Sequence, residues 1–320
     1  MRDILSPKAH PTGVAGRGPA AGPFALDDDS AYRRWREWKL AAYPTEAAAL
    51  VVEVGDAAAL TPAEQDAMLA VCAKTNLVIY RSRAPVDKDG ARRLGERFGL
   101  RRLDSNLLAD EDSISSLQVV PGKSGRGYIP YSNRRLLWHT DGYYNSADCR
   151  IRAFLLHCAS PAARGGDNGL MDHELVYLRL RDENPEHVRA LMAPGAMTIP
   201  ANAEDESAAR GAVSGPVFSV DAGDGSLHMR YTARTRSIAW KDDAPTRAAV
   251  AALERLLADD GAGVFHHRLA AGEGLLCNNV LHNRSAFEDD AGSGVTRLLY
   301  RARYHDRIDG TQLVRLWGRE

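Results

Sequence analysis

Short apolar runs separated by turn residues dominate the chain from about residue 115 to its end. They include "RIRAFLLHCA", "GPVFSV" and "EGLLCNNVLHN", with glycine, proline and polar residues between them. Runs of this length and spacing are typical of a β-sandwich or a barrel-like jelly roll. Helical periodicity interrupts them twice, at about 172–192 and at 244–259. The sequence therefore predicts a mainly β jelly-roll core with helical additions.

The first third of the chain has a different pattern. Residues 1–29 are rich in glycine, proline and alanine and lack periodicity, which predicts a flexible N-terminal arm. Residues 30–114 alternate helical and strand-like stretches, and the first helix is expected to have its N-cap near Ser30. We interpret this part as an α+β lead-in. Because no boundary separates two cores, 30–320 is predicted to be a single domain whose jelly-roll core lies at 115–320.

Charge and cysteine content limit the expected partners and compartment. The formal net charge is -1 over 320 residues, which indicates no basic surface for nucleic acid or for an anionic membrane. The four cysteines lack the paired spacing of zinc sites and disulfide frameworks, so a reducing compartment is indicated. No apolar run approaches the roughly 20 residues of a membrane span, and the start of the chain lacks the apolar core of a signal peptide. We therefore expect a cytoplasmic protein.

One stretch places two metal-ligating residue types beside a predicted strand. In "RLLWHTDGYYN", His139 and Asp141 are two positions apart, and side chains at i and i+2 of a strand point to one face. Alone, such a pair is more often a structural histidine near a turn aspartate. A second stretch, "GEGLLCNNVLHN", predicts an apolar strand that ends in His282 and supplies it from across the jelly roll. Two histidines and one carboxylate with open positions are typical of non-heme Fe(II) oxygenases.

Two arginines follow on the next predicted strand. In "GVTRLLYRARYHD", Arg297 and Arg301 are four positions apart, so an extended strand would place them on the same face. A guanidinium group binds a carboxylate through two parallel hydrogen bonds. This pattern favours a ligand that carries a carboxylate.

Taken together and in this order, the motifs resemble a known family. An H-x-D motif, a late histidine after an apolar strand and Arg-x-x-x-Arg on the next strand are similar to the taurine dioxygenase and clavaminate synthase-like family of Fe(II)/2-oxoglutarate-dependent dioxygenases. The resemblance covers most of the chain from about residue 50, including "RFG" at 97–99, "WHTDG" at 138–142 and "GGDN" at 165–168. The "NNVLHNRSAF" run is similar to the γ-butyrobetaine hydroxylase branch. The resemblance implies a double-stranded β-helix core, which is a jelly roll of cupin-like form.

The same resemblance implies roles for individual residues. His139, Asp141 and His282 would bind Fe(II), and Arg297 would pair with the distal carboxylate of 2-oxoglutarate. Arg301 matches a position used near the cosubstrate or the substrate anion. Asn168 stands where the family usually has a cosubstrate-binding threonine, and its amide can donate a similar hydrogen bond.

The reaction that the resemblance implies consumes 2-oxoglutarate and dioxygen. Three protein ligands leave three positions on an octahedral iron, enough for a chelating 2-oxo acid and dioxygen. Oxidative decarboxylation then gives succinate and CO2 and is coupled to hydroxylation of the substrate. Related halogenases carry a small residue at the position of Asp141, so the aspartate argues against halogenation.

Several residues near the expected pocket are candidates for substrate binding. Tyr143 and Tyr144 directly follow the H-x-D-G turn and could form an aromatic wall, although core packing or an interface explains them equally well. Arg234 and Arg284 could meet an anionic substrate, although solvated ion pairs are the alternative. The surplus of arginine favours a small carboxylate- or amino-acid-like substrate, and a quaternary ammonium held by the tyrosines is a weaker option.

Two other functions use the same residues. A Zn²⁺ ion on the two histidines and the aspartate could activate water for hydrolysis, but this leaves Arg297 unexplained. A non-catalytic jelly-roll binding protein is the other alternative. A homo-oligomer is possible, with the N-terminal arm as a conceivable interface. The substrate, the position oxidised and the choice between hydroxylation and desaturation stay open at this point.

Overall fold

The computed structural model describes residues 22–104, 112–119, 131–202, 210–235, 238–259, 261, 263–290, 292 and 296–316. Residues 1–21, which are most of the expected N-terminal arm, therefore lie outside the described residues. The expectation of a mainly β chain with helical additions is confirmed. The helices described are α1 (Asp29–Leu40), α2 (Pro62–Thr75), α3 (Lys88–Arg97), α4 (His173–Glu183), α5 (Pro185–Leu191), α6 (Ala244–Ala258) and α7 (Leu313–Leu316).

The strands are short, as the spacing of the apolar runs predicts. They are β1 (Val51–Val54), β2 (Leu77–Ser82), β3 (Ser115–Leu117), β4 (Leu136–His139), β5 (Ala153–Ser160), β6 (Arg164–Gly165), β7 (Asn168–Met171), β8 (Met197–Ile199), β9 (Val213–Gly215), β10 (Phe218–Val220), β11 (Leu227–Met229), β12 (Ala239–Trp240), β13 (Val264–His267), β14 (Glu273–Cys277), β15 (Leu281–Arg284), β16 (Phe287–Glu288) and β17 (Leu298–Tyr304).

Two larger sheets carry most of the core. One has six strands in the order β1-β2-β14-β5-β17-β3, and the other has four in the order β13-β7-β15-β4. Only the β1–β2 pair is parallel among the described ladders of these sheets; the other pairs are antiparallel. Phe154, Leu275 and Leu299 of the larger sheet pack in one buried cluster with Leu170 and Phe265 of the smaller. The two sheets thus share an apolar interior.

The start of the described chain is packed more tightly than the expected arm. Phe24 is buried, and its ring meets the rings of Trp35 and Tyr177 edge to face, with centroids 4.9 and 5.3 Å apart. Helix α1 begins at Asp29 because the side chain of Asp28, not of Ser30, accepts the hydrogen bond from the backbone N–H of Ala31. The N-cap expected near Ser30 is thus Asp28, two positions earlier. The serine hydroxyl instead donates to Asp28.

The predicted helical stretch at 172–192 is two helices. Asn184 ends α4, and Pro185 begins α5, because proline has no N–H to continue the first helix and suits the first turn of the second. Helices α4, α5 and α6 pack in a cluster that also receives Trp138, whose indole Nε1 donates to the backbone oxygen of Leu257 at 3.1 Å. This bond fixes β4 directly beside the helices.

The stretch "EGLLCNNVLHN" forms two strands, which corrects the single strand predicted for it. β14 belongs to the six-stranded sheet and β15 to the four-stranded sheet. The chain passes between them at Asn278 and Asn279, and Asn279 has a left-handed φ of 48°, which asparagine tolerates better than most residues. The turn carries His282 from one sheet to the other. Among the described residues, no helix is long and apolar enough to cross a membrane.

Candidate active site

The end of β4 and its neighbour β15 bring three candidate metal ligands together. His139 and His282 are directly opposite each other in the antiparallel register, and their ring centroids are 4.1 Å apart. Asp141 follows in the turn after β4, with its Oδ1 3.8 Å from Nε2 of His139. One ligand atom from each residue lies within 4.8 Å of the others, and all three residues are buried. His282 therefore comes from the adjacent strand, not from across the interior as predicted.

Hydrogen bonds fix the orientation of both histidines. Nδ1 of His139 lies 2.9 Å from the backbone oxygen of Leu137, and Nδ1 of His282 lies 3.0 Å from that of Val280. A carbonyl only accepts, so each Nδ1 carries the proton and each Nε2 keeps its lone pair. Burial lowers the pKa of His139 to about 3 and also lowers the pKa of His282. Both rings are therefore neutral at neutral pH, as metal binding requires.

Asp141 is a buried carboxylate held in its charged form. Burial raises its pKa, but the charges of Arg301 and Arg303 outweigh burial and hold the pKa below its ordinary value. Nη1 of Arg301 is 3.6 Å from Oδ1 of Asp141. Oδ2 is buried and has no hydrogen-bond partner among the described residues. A buried carboxylate with an unpartnered oxygen, close to two neutral imidazole rings, fits a divalent metal ion.

Asn279 fixes the backbone of Asp141. Its Oδ1 accepts from the N–H of Asp141 at 2.8 Å, while its Nδ2 donates to the carbonyl oxygens of Asp141 at 2.9 Å and Ile151 at 2.7 Å. The side chain is buried. The turn between β14 and β15 therefore also fixes the turn after β4, which carries Asp141. Asn279 was not predicted to take part in the site, although it lies in the "NNVLHN" run.

Arg297 lies just before β17, which begins at Leu298, and the ladder has an irregularity between Leu298 and Leu299. The predicted strand-face alternation therefore starts only at Leu299. The guanidinium of Arg297 is buried, 4.9 Å from the ring centroid of Phe287, and burial lowers its pKa. Among the described residues, the carboxylate that acts on this guanidinium is Asp289, whose Oδ1 accepts from the backbone N–H of Arg297 at 2.9 Å. The cation is thus available for an anionic ligand.

Arg284 and Asn168 are paired in the β15–β7 ladder, and Arg284 also lies near Arg297. Arg284 also stacks on Phe287, at 4.8 Å, and donates to the backbone oxygens of Ser132 and Arg134, which lead into β4. Asn168 is the first residue of β7, and its Nδ2 donates to the backbone oxygen of His267 at 3.2 Å. Arg284 therefore supports the segment that leads into the strand carrying His139.

Tyr143 and Tyr144 form an aromatic pair after the Asp141 turn, with ring centroids 5.2 Å apart. Burial raises the pKa of Tyr143, while the nearby charge of Arg234 and a hydrogen bond with Thr232 oppose this. Arg234 reaches this place because residues 231–233 run along β4, with the N–H of Ala233 donating to the oxygen of Trp138 at 2.8 Å. The structure therefore brings three of the four candidate substrate residues together.

Two further arginines, which were not predicted from the sequence, lie beside Tyr144. Nη1 of Arg303 donates to the hydroxyl of Tyr144 at 3.0 Å, and its Nη2 pairs with Asp104. The guanidinium of Arg210 lies 5.8 Å from the ring centroid of Tyr144. Arg303 shares a strand face with Arg301, and this was the one local signal that could have found it.

Two neutral histidines and one carboxylate with free ligand atoms, at the edge of a β core, make up the metal site of non-heme Fe(II) oxygenases. The chain belongs to the family described as "Taurine catabolism dioxygenase TauD, TfdA family", whose model matches residues 40–303. The resemblance found in the sequence is confirmed. The expected cofactors Fe(II), 2-oxoglutarate and dioxygen are confirmed with it. The hydrolase and the binding-protein alternatives are not favoured.

Individual relatives support the same family. Two curated proteins named uridine-5'-phosphate dioxygenase are similar: one from Amycolatopsis sp, 34% identical over 175 residues, and one from Streptomyces sp, 32% identical over 206 residues. The first match covers 51% of this chain and 60% of that protein, and the second covers 61% and 72%. The chain thus spans about three fifths of the length of the Amycolatopsis protein.

Solved structures show the fold. An asparagine oxygenase in complex with Fe(II), 3-hydroxyasparagine and succinate has a TM-score of 0.56 at 18% identity, covering 76% of this chain and 79% of that one. A taurine dioxygenase from Burkholderia xenovorans has a TM-score of 0.54 at 18% identity, covering 82% and 87%. The chain therefore has a taurine dioxygenase-like oxygenase fold.

Proposed function

We propose that this chain is an Fe(II)- and 2-oxoglutarate-dependent oxygenase that hydroxylates a small anionic molecule. The observation that carries the proposal is the buried group of His139, Asp141 and His282, whose ligand atoms lie within 4.8 Å of one another. The six- and four-stranded sheets would form the two sides of a double-stranded β-helix. Residues 30–320 would form a single domain around this site.

Each protein group has a distinct part in this proposal. Nε2 of both histidines and a carboxylate oxygen of Asp141 would hold the metal, and these three ligands would leave positions for 2-oxoglutarate and dioxygen. Arg297 would bind the distal carboxylate of 2-oxoglutarate through paired charged hydrogen bonds. Arg301 would face the bound ligands next to Asp141. Asn168 would add a polar contact to the cosubstrate from the start of β7.

The bound iron, 2-oxoglutarate and dioxygen supply the oxidising chemistry. In the overall reaction, one oxygen atom of dioxygen enters succinate and the other enters the new hydroxyl group, while CO2 is released from 2-oxoglutarate. The protein groups keep the carboxylates oriented and the histidines neutral.

Two substrate classes fit an anion-binding pocket. A carboxylate- or amino-acid-like molecule is the class predicted from the sequence. A nucleoside 5'-phosphate is the second, because both curated relatives bear the name uridine-5'-phosphate dioxygenase. The surplus of guanidinium groups around Tyr143 and Tyr144 supports a substrate with more negative charge than one carboxylate, so uridine 5'-phosphate is the compound to test first.

The test is an anaerobic titration of the Fe(II)-loaded protein with 2-oxoglutarate, followed by the weak visible charge-transfer band of the chelate. We expect the band in the wild type. Arg297→Ala should raise the 2-oxoglutarate concentration needed for it by about 10- to 100-fold, since a charged hydrogen bond contributes about 1.5–3 kcal/mol. Arg164→Ala is the matched control because Arg164 is 85% exposed.

The two possible failures have different meanings. Bound Fe(II) without a band at saturating 2-oxoglutarate would refute the cosubstrate. Turnover of a substrate in the strict absence of oxygen would refute the oxygenase and favour metal-assisted hydrolysis.

A further inference from the structure

Three arginines lie around the tyrosine pair and a fourth, Arg301, lies beside Asp141. We call the four the arginine site: Arg210, Arg234, Arg301 and Arg303. The carboxylates among the described residues that pair with them are Asp104 and Asp141. The site therefore has a formal surplus of two positive charges, before any metal adds to it. Such a surplus in a partly buried region is unfavourable unless an anion offsets it.

Several guanidinium N–H groups in this site are buried and have no partner. They are Nη1 of Arg210, Nε of Arg301 and Nε of Arg303, within the part of the chain that the structure describes. A buried donor left unbonded costs about 1–3 kcal/mol, and more when it is charged. Most buried polar groups in native proteins have a partner. The unpartnered donors therefore point to a ligand with several acceptor oxygens.

Two of the arginines contact the same tyrosine. Tyr144 has Arg210 over its face at 5.8 Å and Arg303 on its hydroxyl at 3.0 Å. Arg234 lies near the adjoining Tyr143. Because Tyr143 is only two residues after Asp141, a ligand held here is close to the metal site.

We infer that Arg210 and Arg303, together with Arg234, form a phosphate-binding subsite for the substrate. This inference rests on the proposed function, because it names the group by which that active site holds its substrate. A phosphate monoester carries a charge of about -1.5 to -2 and three acceptor oxygens, which matches guanidinium groups from three separate segments. A lone carboxylate would offer one charge to the same set. Arg301 is not part of this subsite, because it pairs with Asp141 at the iron site.

The experiment measures binding by calorimetry on the anaerobic protein loaded with Fe(II) and 2-oxoglutarate. Three probes are compared: uridine 5'-phosphate, uridine and inorganic phosphate. We expect uridine 5'-phosphate to bind more tightly than uridine, and inorganic phosphate to compete with it. Arg210→Ala should raise the Kd for uridine 5'-phosphate by about 10- to 100-fold and leave the weak binding of uridine unchanged.

Two further variants separate charge from geometry. Arg210→Lys keeps the charge but not the planar fork, so it should recover only part of the affinity. Arg247 lies on α6 and forms an exposed ion pair with Asp242. Arg247→Ala removes one positive charge there and should bind uridine 5'-phosphate like the wild type. Its behaviour controls for the net charge of the protein.

The outcomes separate this inference from the proposed function. If 2-oxoglutarate binds but neither phosphate probe binds the wild type at millimolar concentration, the phosphate subsite is refuted and the oxygenase stands. An unchanged Kd for uridine 5'-phosphate in Arg210→Ala would also refute it. If 2-oxoglutarate itself does not bind, the proposed function fails, and the phosphate result is then judged on its own.

Discussion

Two buried charged regions of the molecule differ in how completely they are paired. In the first, which we call the lysine cluster, Lys39 lies 2.7 Å from Asp172 and 2.6 Å from Glu174, and all three are buried. Asn76 and Tyr43 donate to the same aspartate at 3.0 and 3.2 Å. In the second, the arginine site, buried donors of three arginines have no partner among the described residues.

The charge balance differs in the same way. In the lysine cluster, Lys39 and the nearby Arg307 offset the two carboxylates. No side-chain atom of Lys39, Asp172 or Glu174 is among the buried groups that lack a partner in the described part of the chain. The lysine cluster is therefore complete without a ligand, and its role is to join α1 to α4. The arginine site becomes complete only when an anion is added.

The largest expected effect comes from breaking the complete region. Lys39→Met should lower the free energy of unfolding by about 3–5 kcal/mol, because it removes the cation paired with both buried carboxylates and leaves them with the nearby charge of Arg307. Urea unfolding measures this change. The Kd for 2-oxoglutarate of the folded fraction should stay unchanged. A loss below about 1 kcal/mol would show that the lysine cluster is open to water and is not the complete region described above.

A second buried polar group with its partner in place, His157, leads us to expect a pH dependence of stability. His157 is buried and bonded to the Tyr80 hydroxyl at 3.0 Å, and burial lowers its pKa to about 4. Between about pH 6.5 and pH 4 the unfolded chain takes up a proton that the folded chain does not. The stability contribution is thus fully present above pH 6.5 and falls as the pH falls, by up to ~3 kcal/mol at pH 4.

The measurement compares the pH dependence of urea unfolding in the wild type and in His157→Gln. The variant should lose less stability between pH 6.5 and pH 4, whatever its stability at pH 7. Parallel curves would mean that His157 keeps an ordinary pKa in the folded protein, which contradicts its burial.

Local sequence patterns correctly predicted features that depend on residues close together in the chain. The helical stretches expected within 30–114 include α2, which begins after Thr61 with a capping box in which Thr61 and Glu64 bond each other's backbone N–H. His139 and Asp141 lie together as expected, although Asp141 is in the turn after β4, because two residues are too close in the chain for the rest of the fold to separate them. Such features depend on neighbouring residues alone.

The parts that depend on distant segments were not predicted. An apolar run with asparagines inside it looks like one strand, and only the tertiary structure shows that Asn278 and Asn279 switch sheets. Arg284 lies two residues after His282, yet its long side chain turns to backbone oxygens at the start of β4. Arg210 is separated by more than 60 residues from the tyrosine it covers, so no local pattern marks it.

A third prediction concerns Asn279, which connects the turn between the two sheets to the metal site. Asn279→Gly keeps the left-handed turn that Asn279 adopts but removes its bonds to Asp141 and Ile151. We expect the affinity for Co(II), used as an air-stable probe of the iron site, to fall by about 10- to 100-fold. Asn145→Ala is the control, since Asn145 bonds Cys149 in the following turn and does not touch Asp141. A purely structural role would change the unfolding free energy and leave the Co(II) titration as it is.

The smallest expected effect distinguishes the two regions directly. A ligand that binds only the folded protein stabilises it by RT ln(1 + [L]/Kd), or about 1.4 kcal/mol at ten times the Kd. Inorganic phosphate should therefore raise the Tm of the metal-free wild type by about 2–4 °C relative to chloride at equal ionic strength. Arg210→Ala should lose most of this rise, whereas Lys39→Met should keep it on top of a lower Tm. An equal rise in all three proteins would mean that phosphate acts through the solvent, and the arginine site would then need another explanation for its unpartnered donors.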